Sequence, residues 1–261
     1  VDIGPGDYLV DRFKVSHFPG TSGTSALEQQ QSSDVPAGQG FKTSLAVRVK
    51  TAGAITSNGY ALLQQTIEGY NISSFDQGTS NAKEFTVSFW AKSSVTGTYS
   101  IVIRNVDSSR THVKDYDLTS GTWKYVTLTF PGETSGSWNT TNGIGLQVMW
   151  ALDTGTAYNT APNVWNTSNL FGSTNQTNSW TDTASNTFHV TGVQVELGSK
   201  ATPFEHENYG QTLNKCLRYF EKIHVSGPYA TGFAYGAGAV QAGFRFNKKR
   251  ATPNSVTLPS S

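Results

Sequence analysis

The stretch VTGVQVELGSKATPFEHENYGQTLNKCLRYF, residues Val190–Phe220, joins a regular strand to a helix through one turn. Val193 and Val195 alternate with polar side chains, which is the period of a strand with one buried face. The strand pattern stops at Gly198, and Pro203 then disfavours helical backbone for the residue before it. The segment therefore predicts a strand, an extended connection and an amphipathic helix, in that order.

The predicted helix spans about residues 209–222. Leu213, Leu217 and Phe220 recur at spacings of three and four residues and form one apolar stripe, which must pack on another surface. Cys216 lies beside this stripe and is the single cysteine, so no disulfide forms within the chain and buried packing is its expected role. A nucleophilic role would require an oriented histidine, and no recognisable motif supplies one.

The composition indicates a β protein that binds no nucleic acid and inserts into no membrane. Only 14% of the residues are charged, 12% are aromatic and 26 are glycine, unlike the Leu-, Glu- and Lys-rich composition of helical enzymes. The net charge is +1, and the basic run Lys248–Arg250 is too short to follow a phosphate backbone. No apolar run approaches the roughly 20 residues of a membrane helix. Because the chain begins at Val1 without methionine, the possibility that it is a piece of a longer protein stays open.

Upstream of the helix, short strand patterns are separated by turns rich in Gly, Ser, Asn and Asp. No helical pattern lies between them, which argues against parallel strand-helix-strand units and favours two packed antiparallel sheets. We therefore predict an all-β jelly-roll β-sandwich, followed by a short helix and a small C-terminal β region. The predicted strands are Tyr8–Val15, Ser25–Gln31, Ser44–Lys50, Gly59–Ile67, Glu84–Lys92, Thr98–Arg104, Thr111–Leu118, Lys124–Phe130, Ile144–Leu152 and Asn186–Leu197.

The sequence predicts two units. Residues 1–205 form the jelly-roll domain, and residues 206–261 form the connecting helix and a Gly- and Ala-rich β region, Gly227–Gly243. One further strand is predicted within Ala251–Leu258, and it has no obvious partner in the chain. The second unit is therefore expected to be incomplete, or to be completed by another subunit.

Several short sequence motifs together carry a resemblance to a known group of proteins. They are Leu63–Gly69, Phe85–Lys92, Gly97–Tyr99, Thr122–Tyr125, Phe130–Gly132, Val190–Gly198, Ala201–His206, Cys216–Phe220 and Lys249–Pro253. These motifs resemble a group of bacteriophage virion appendage proteins, mostly tail-fibre-like, that carry a carbohydrate-binding-module-like jelly roll. The resemblance extends over about four fifths of the chain, and Leu217 and Phe220 stand where the group usually has glutamine and tyrosine.

The resemblance implies a noncatalytic virion structural protein that is assembled in the bacterial cytoplasm and resides in the virion. Its partners would be other virion proteins, further copies of itself with a trimer favoured, and host surface polysaccharide. A capsid, neck or tail decoration protein without receptor binding is the alternative, because one fold hosts many functions. Burial of the insertion Thr154–Thr183 under a neighbouring subunit would favour that alternative.

Uncharged aromatic loops supply the candidate glycan-binding residues. No lysine or arginine occurs from Pro131 to Val190, and Asn, Thr, Ser and Gly dominate the insertion. A pyranose ring stacks on aromatic side chains while its hydroxyls pair with polar groups, so such loops suit sugar binding. Anchoring of these aromatics to the sheet is the competing interpretation, and Trp150, which lies within a strand, is expected in the core. The predicted glycan-binding residues are Trp138, Tyr158, Trp165 and Trp180.

Catalysis and cofactors are not predicted. A depolymerase would need paired carboxylates, but the acidic residues are scattered and no nucleophile-elbow, zinc-helix or phosphate-loop motif occurs. The histidines show no metal-ligand spacing. A structural calcium ion is the open alternative, since carboxylates and backbone oxygens are its usual ligands. Asp7, Asp11 and Glu196 are the weak candidates for holding it.

Overall fold

The computed structural model describes residues 8–10, 12–176, 178–221, 231–234, 240–243 and 247–252. The chain divides into two compact units, Val1–Phe204 and Glu205–Ser261. The sequence placed the division after residue 205, and completion of the second unit by another subunit stays a prediction.

Two antiparallel sheets build the first unit. Sheet I has seven strands in the order β1-β2-β5-β10-β7-β8-β12, and sheet II has five in the order β3-β4-β14-β6-β9. The strands of sheet I are β1 Tyr8–Val10, β2 Phe13–Phe18, β5 Tyr60–Glu68, β7 Gly97–Asn105, β8 Arg110–Leu118, β10 Ile144–Thr154 and β12 Trp165–Asn166. Those of sheet II are β3 Ala26–Ser32, β4 Ser44–Thr51, β6 Phe85–Ser93, β9 Lys124–Phe130 and β14 Thr187–Leu197.

The elements outside the two sheets are short. A parallel pair joins β11 Asn159–Thr160 to β13 Gly172–Ser173, and both strands lie in the insertion before β14. The helix α1, Gly69–Ile72, follows β5, and single 3-10 turns lie at Ser73–Phe75, Thr156–Tyr158 and Trp180–Asp182.

The hydrophobic core lies between the inner faces of the two sheets. Alternate residues of each strand point inward, so aromatic side chains of sheets I and II meet there. Trp150 of β10 has no exposed surface, and its ring lies 5.5 Å from Phe89 of β6 at 84°. The prediction that Trp150 is a core residue is confirmed, and truncating such a side chain costs about 3–5 kcal/mol.

The all-β jelly-roll prediction is also confirmed, and each predicted strand of the first unit has a counterpart. The first predicted strand, Tyr8–Val15, is divided into β1 and β2, because Arg12 between them has a left-handed φ of 59°. The helix α1 and the two-residue strands of the insertion were not predicted. They are too short for hydrophobic periodicity to reveal them.

A bulge in β14 interrupts the pairing of this strand with β6, which resumes at Gln194. The register shifts between Thr191 and Gln194, and Gly192 between them has a φ of +62°. A Cβ atom on Gly192 would lie 2.5 Å from Cζ of Phe41. Glycine is required here for two reasons, the left-handed backbone and the packed ring above it.

The second unit contains the helix α2, Tyr209–Leu217, and a hairpin of β15, Thr231–Ala234, with β16, Val240–Gly243. Asn208 begins α2 with a capping box, in which its side chain accepts from the Gln211 amide at 3.0 Å. The predicted helix end near residue 222 is wrong, because the helix stops at Leu217.

The apolar stripe of α2 is not covered by the described residues. No residue of this helix is buried, Leu213 is 39% exposed and Cys216 is partly buried, so packing of the stripe and of Cys216 stays a prediction. Residues 222–230, 235–239 and 253–258 lie outside the described residues, so most of the predicted strand at Ala251–Leu258 and parts of Gly227–Gly243 stay predictions. No helix in the described ranges combines the length and apolarity needed to cross a membrane.

Candidate functional site

The insertion between β10 and β14 folds back over the outer face of sheet I and forms a third layer. Thr111 Oγ1 donates to the Ser168 carbonyl at 2.8 Å, and the Ser173 amide donates to Ser100 Oγ at 3.1 Å. Covering both faces of β10 buries every residue from Gly145 to Asp153. The predicted anchoring of the insertion to the sheet is therefore what the structure shows.

A small hydrophobic cluster lies under this layer, on the outer face. Strand pairing aligns Met149, Val102 and Val113 across β10, β7 and β8, while Leu62 of β5 pairs with Ala151 of β10, and all five are at most 2% exposed. Phe171 of the insertion packs against them together with Tyr60. The insertion thus has its own apolar contact with the sheet, independent of the main core.

Four aromatic rings border this cluster and remain partly exposed. Tyr158 stacks on Phe171 with centroids 4.9 Å apart, and Tyr60 meets both rings edge-on at 5.5 and 5.4 Å. Phe18 lies 6.2 Å from Tyr60 and is 42% exposed. Each ring fixes its neighbours, so the group is a preorganised aromatic surface.

A row of polar side chains continues from these rings across the strands. Asn169 Oδ1 accepts from Arg104 Nε at 3.0 Å, and Gln147 Oε1 accepts from Arg104 Nη1 at 3.2 Å. Gln147 Nε2 in turn donates to Thr66 Oγ1 at 3.4 Å. We call the four rings and these four polar residues the outer-face patch. It consists of Phe18, Tyr60, Thr66, Arg104, Gln147, Tyr158, Asn169 and Phe171.

Arg104 carries the only formal charge among the residues of the outer-face patch. Its guanidinium carbon lies 5.6 Å from the centroid of the Phe171 ring. Burial lowers the pKa of Arg104, and Tyr60 opposes that shift. An arginine nevertheless stays protonated in proteins, so the patch holds a partly desolvated cation.

The outer-face patch can bind a ligand but contains no acid-base pair. Its rings offer faces and edges for the apolar side of a sugar ring, and its amides, hydroxyl and guanidinium can pair with sugar hydroxyls. None of its eight residues is a carboxylate, whereas glycoside hydrolysis uses two. The arrangement therefore favours recognition over hydrolysis at this position.

Two of the predicted glycan contacts require correction. Trp180 has no exposed surface and its Nε1 donates to the Thr187 carbonyl at 3.4 Å, while Trp138 is 8% exposed and donates to the Ser135 carbonyl at 3.2 Å. Both indoles belong to the core, where hydrophobic burial and one hydrogen bond satisfy them. Neither presents a ring face to a sugar.

Trp165 closes the edge of the sandwich, away from the outer-face patch. In the register of β12 with β8 it pairs with His112, and its ring contacts those of His112 at 5.1 Å and Trp138 at 6.0 Å. Its Nε1 donates to the Pro131 carbonyl at 3.1 Å. Trp165 stays partly exposed, so its contact with a glycan remains a prediction, but the structure does not bring it together with Tyr158.

Tyr158 is therefore the predicted residue that lies in the outer-face patch. Its partners Phe18, Tyr60 and Phe171 come from β2, β5 and the insertion, and Arg104 comes from β7. Strand alternation could have placed Tyr60 and Arg104 on one face, but the pairing order of the strands was needed to bring them together.

Sheet II has a second aromatic pair on its own outer face. Trp90 and Tyr125 are direct cross-strand partners with centroids 5.3 Å apart, and Tyr125 is 41% exposed. Near them Trp123 Nε1 donates to Asp34 Oδ1 at 2.9 Å, and Asp34 pairs with Lys92. This face offers exposed aromatic positions for matched control substitutions.

Of the three calcium candidates, Glu196 alone lies within the described residues. Asp7 and Asp11 lie outside the described residues, and Glu196 accepts hydrogen bonds from the amide and hydroxyl of Thr202. In the described ranges, no group of three or more His, Cys, Asp and Glu side chains is arranged to hold a metal ion. A structural calcium ion stays a prediction.

Comparisons with known proteins return similar folds at low identity. The enzymatically active domain of tailspike protein 4 of bacteriophage CBA120 is 16% identical, with a TM-score of 0.40 over 72% of this chain and 19% of that chain. The family 11 carbohydrate-binding module of the cellulosomal cellulase Lic26A-Cel5E of Clostridium thermocellum is 13% identical, with a TM-score of 0.38 over 77% of this chain and 96% of that module.

The CBM22-1 xylan-binding domain of Paenibacillus barcinonensis Xyn10C is 10% identical, with a TM-score of 0.35 over 72% of this chain and 87% of that domain. This chain spans about a fifth of the length of the tailspike chain. No protein-family model and no curated protein matches the sequence. Likenesses of this size carry no conclusion about function.

Proposed function

We propose that this protein is a noncatalytic glycan-binding module and that the outer-face patch is its binding surface. The observation that carries the proposal is the continuity of four partly exposed aromatic rings with a hydrogen-bonded polar row on one face of sheet I. Sugar recognition needs both elements within reach of one ligand. The patch is built on strands and on an anchored insertion, so little ordering entropy is lost on binding.

The resemblance to phage virion appendage proteins supports a place for this module in a tail fibre or similar appendage, where it attaches the particle to host surface glycan. A shallow surface of this kind binds each sugar segment weakly. Several copies on one appendage would raise the effective concentration of sites and make attachment stable. Other virion proteins and further copies of this chain would then be its partners.

Glycan-array binding of the whole chain tests the proposal, with binding to at least one bacterial surface polysaccharide as the expected result. Losing one stacking ring costs about 1 kcal/mol or more, so Phe18→Ala and Tyr158→Ala should each weaken binding about fivefold or more. Tyr125→Ala, an exposed ring on sheet II, should leave it unchanged. A wild-type protein that is folded yet silent on all polysaccharides would contradict the proposal, and loss of binding in Tyr125→Ala alone would move the site to sheet II.

A capsid, neck or tail decoration protein that contributes assembly contacts is the second candidate. Exposed apolar residues in the second unit favour it, since Tyr209 is 80% exposed and Phe220 is 74% exposed. Electron microscopy of the assembled particle distinguishes the candidates. An outer-face patch buried against another virion protein would support the assembly role, and a patch facing outward would support attachment.

A further inference from the structure

We propose that the outer-face patch selects acidic glycans, and that Arg104 is the residue that binds their carboxylate. This inference rests on the proposed function and specifies its ligand class as uronic-acid-containing polysaccharide. The geometry that points to it is a partly buried guanidinium with no acidic partner among the described residues, held beside the aromatic rings by Asn169 and Gln147.

The protein uses only part of the guanidinium. Nε donates to Asn169 and Nη1 donates to Gln147, and both acceptors are neutral side-chain amides. Within the described part of the chain no carboxylate pairs with Arg104, and Nη2 has no acceptor. Because Nη2 has no acceptor and is not buried, it reaches solvent. A planar fork with its outer edge free matches the geometry of a carboxylate.

The neighbouring acidic side chains on the same face of sheet I do not pair with Arg104, although Oδ1 of Asp115 is buried without a hydrogen-bond partner among the described residues. Asp115 Oδ2 accepts from Asn175 Nδ2 at 2.8 Å, and Asp117 Oδ1 accepts from Thr98 Oγ1 at 2.7 Å. A buried or partly buried charge is normally paired, because desolvation without compensation is costly. If Arg104 served only to hold the insertion on the sheet, it would need no charge, because a neutral amide could bridge Asn169 and Gln147. The unpaired cation is therefore what an anionic ligand would neutralise.

A second cation lies on the same face. Lys14 of β2 is in register with Gln64 of β5, and its Nζ lies 5.8 Å from the Tyr8 ring centroid. No described carboxylate pairs with Lys14 either. β2 and β7 are three strand spacings apart, about 14 Å at 4.8 Å per spacing. Two cations at that separation suit an extended polysaccharide with repeated carboxylates better than a single small anion.

The experiment uses the whole chain with polygalacturonate and alginate, and with the same polymers after reduction of their carboxyl groups to alcohols. Binding is measured by titration calorimetry at low and at physiological salt. A charge-assisted bond to arginine should make wild type bind at least about tenfold more tightly to an acidic polymer than to its reduced form. Arg104→Gln should remove that preference, and Arg104→Lys should retain only part of it because the fork is lost.

Two further variants separate ligand binding from anchoring of the insertion. Lys14→Gln does not touch the insertion, and it should also weaken binding to the acidic polymers. Lys200→Gln makes the same change of charge at an exposed position outside the patch and should have no effect. Thermal unfolding of each variant shows whether it is folded.

The outcomes separate the two proposals. Equal affinity of wild type for acidic and reduced polymers, or an unchanged preference in folded Arg104→Gln, would overturn the acidic selectivity while leaving glycan binding intact. Absence of binding to every acidic, reduced and neutral polysaccharide would overturn the proposed function itself. Loss of binding in Phe18→Ala with no effect of Arg104→Gln would retain the patch and exclude the arginine as the selecting residue.

Discussion

Acidification should destabilise the first unit through one buried histidine. His112 has no exposed surface and lies edge-on to Phe130 at 5.2 Å and to Trp165 at 5.1 Å. Among the described residues neither ring nitrogen has a hydrogen-bond partner. Burial, with a smaller contribution from Lys114, lowers the pKa of His112 from 6.5 to about 4. The folded protein therefore keeps this ring neutral while the unfolded chain protonates it.

The sign and the size of the effect follow from proton linkage. Between pH 6.5 and about 4 the unfolded state binds a proton that the folded state does not, so stability falls as pH falls through this window. These two pKa values give a loss of about 2 kcal/mol between pH 7.5 and pH 5 from His112 alone. Below pH 4 both states are protonated and the loss ends.

Denaturant unfolding at pH 7.5 and pH 5, for wild type and His112→Phe, isolates this contribution. Phenylalanine keeps an aromatic ring between Phe130 and Trp165 but cannot titrate. His17 and His189, whose pKa values burial also lowers, remain in both proteins and cancel in the comparison. The variant should lose about 2 kcal/mol less than wild type on acidification.

Equal losses in the two proteins would refute the assignment of a buried, neutral His112. An NMR titration gives an independent reading, because the His112 ring should not titrate near its ordinary value. Trp165→Ala should move that pKa upward, since it exposes the imidazole edge. An unshifted pKa in Trp165→Ala would show that Trp165 does not seal the sandwich edge.

Three further changes test the packing of the first unit. Gly192→Ala should cost about 2 kcal/mol or more in chemical denaturation, since its φ of +62° and the Phe41 ring both exclude a Cβ; an unchanged midpoint would contradict the bulge geometry. Trp180→Ala should cost about 3–5 kcal/mol in the same assay, and glycan binding by the fraction that stays folded should persist. Glu133→Gln should cost about 3–5 kcal/mol by removing the negative charge that pairs with Arg110 at 2.5 Å, and a loss under 1 kcal/mol would refute the buried ion pair.

The sequence predicted the sandwich because each strand carries its own signal. Phe85 to Trp90 alternates large and small side chains, and that alternation alone sets which face is buried. The helix end was missed because Phe220 continues the apolar spacing beyond Leu217, where the helical hydrogen bonding stops. The spacing of apolar residues shows which side chains share a face of the helix. It does not show where the backbone hydrogen bonds of the helix end.

The site was only partly predictable, because exposure depends on how the insertion folds back. Trp180 and Tyr158 lie in the same uncharged segment, and composition gives no means of separating them. In the structure Trp180 enters the main core, whereas Tyr158 stacks on Phe171 at the surface. Arg104 was missed for another reason. It stands out because no carboxylate among the described residues pairs with it, and only the three-dimensional structure can show this.

The third layer over sheet I separates the main core from surface residues that can change without disturbing it. Phe171 holds the insertion on its own small cluster, and the residues of the main core lie on the opposite side of the sheet. On the proposed function, substitutions at Tyr158 and Asn169 would alter glycan preference with little effect on folding. The glycan that is bound could then change through a few substitutions in the insertion, while the scaffold beneath stays constant.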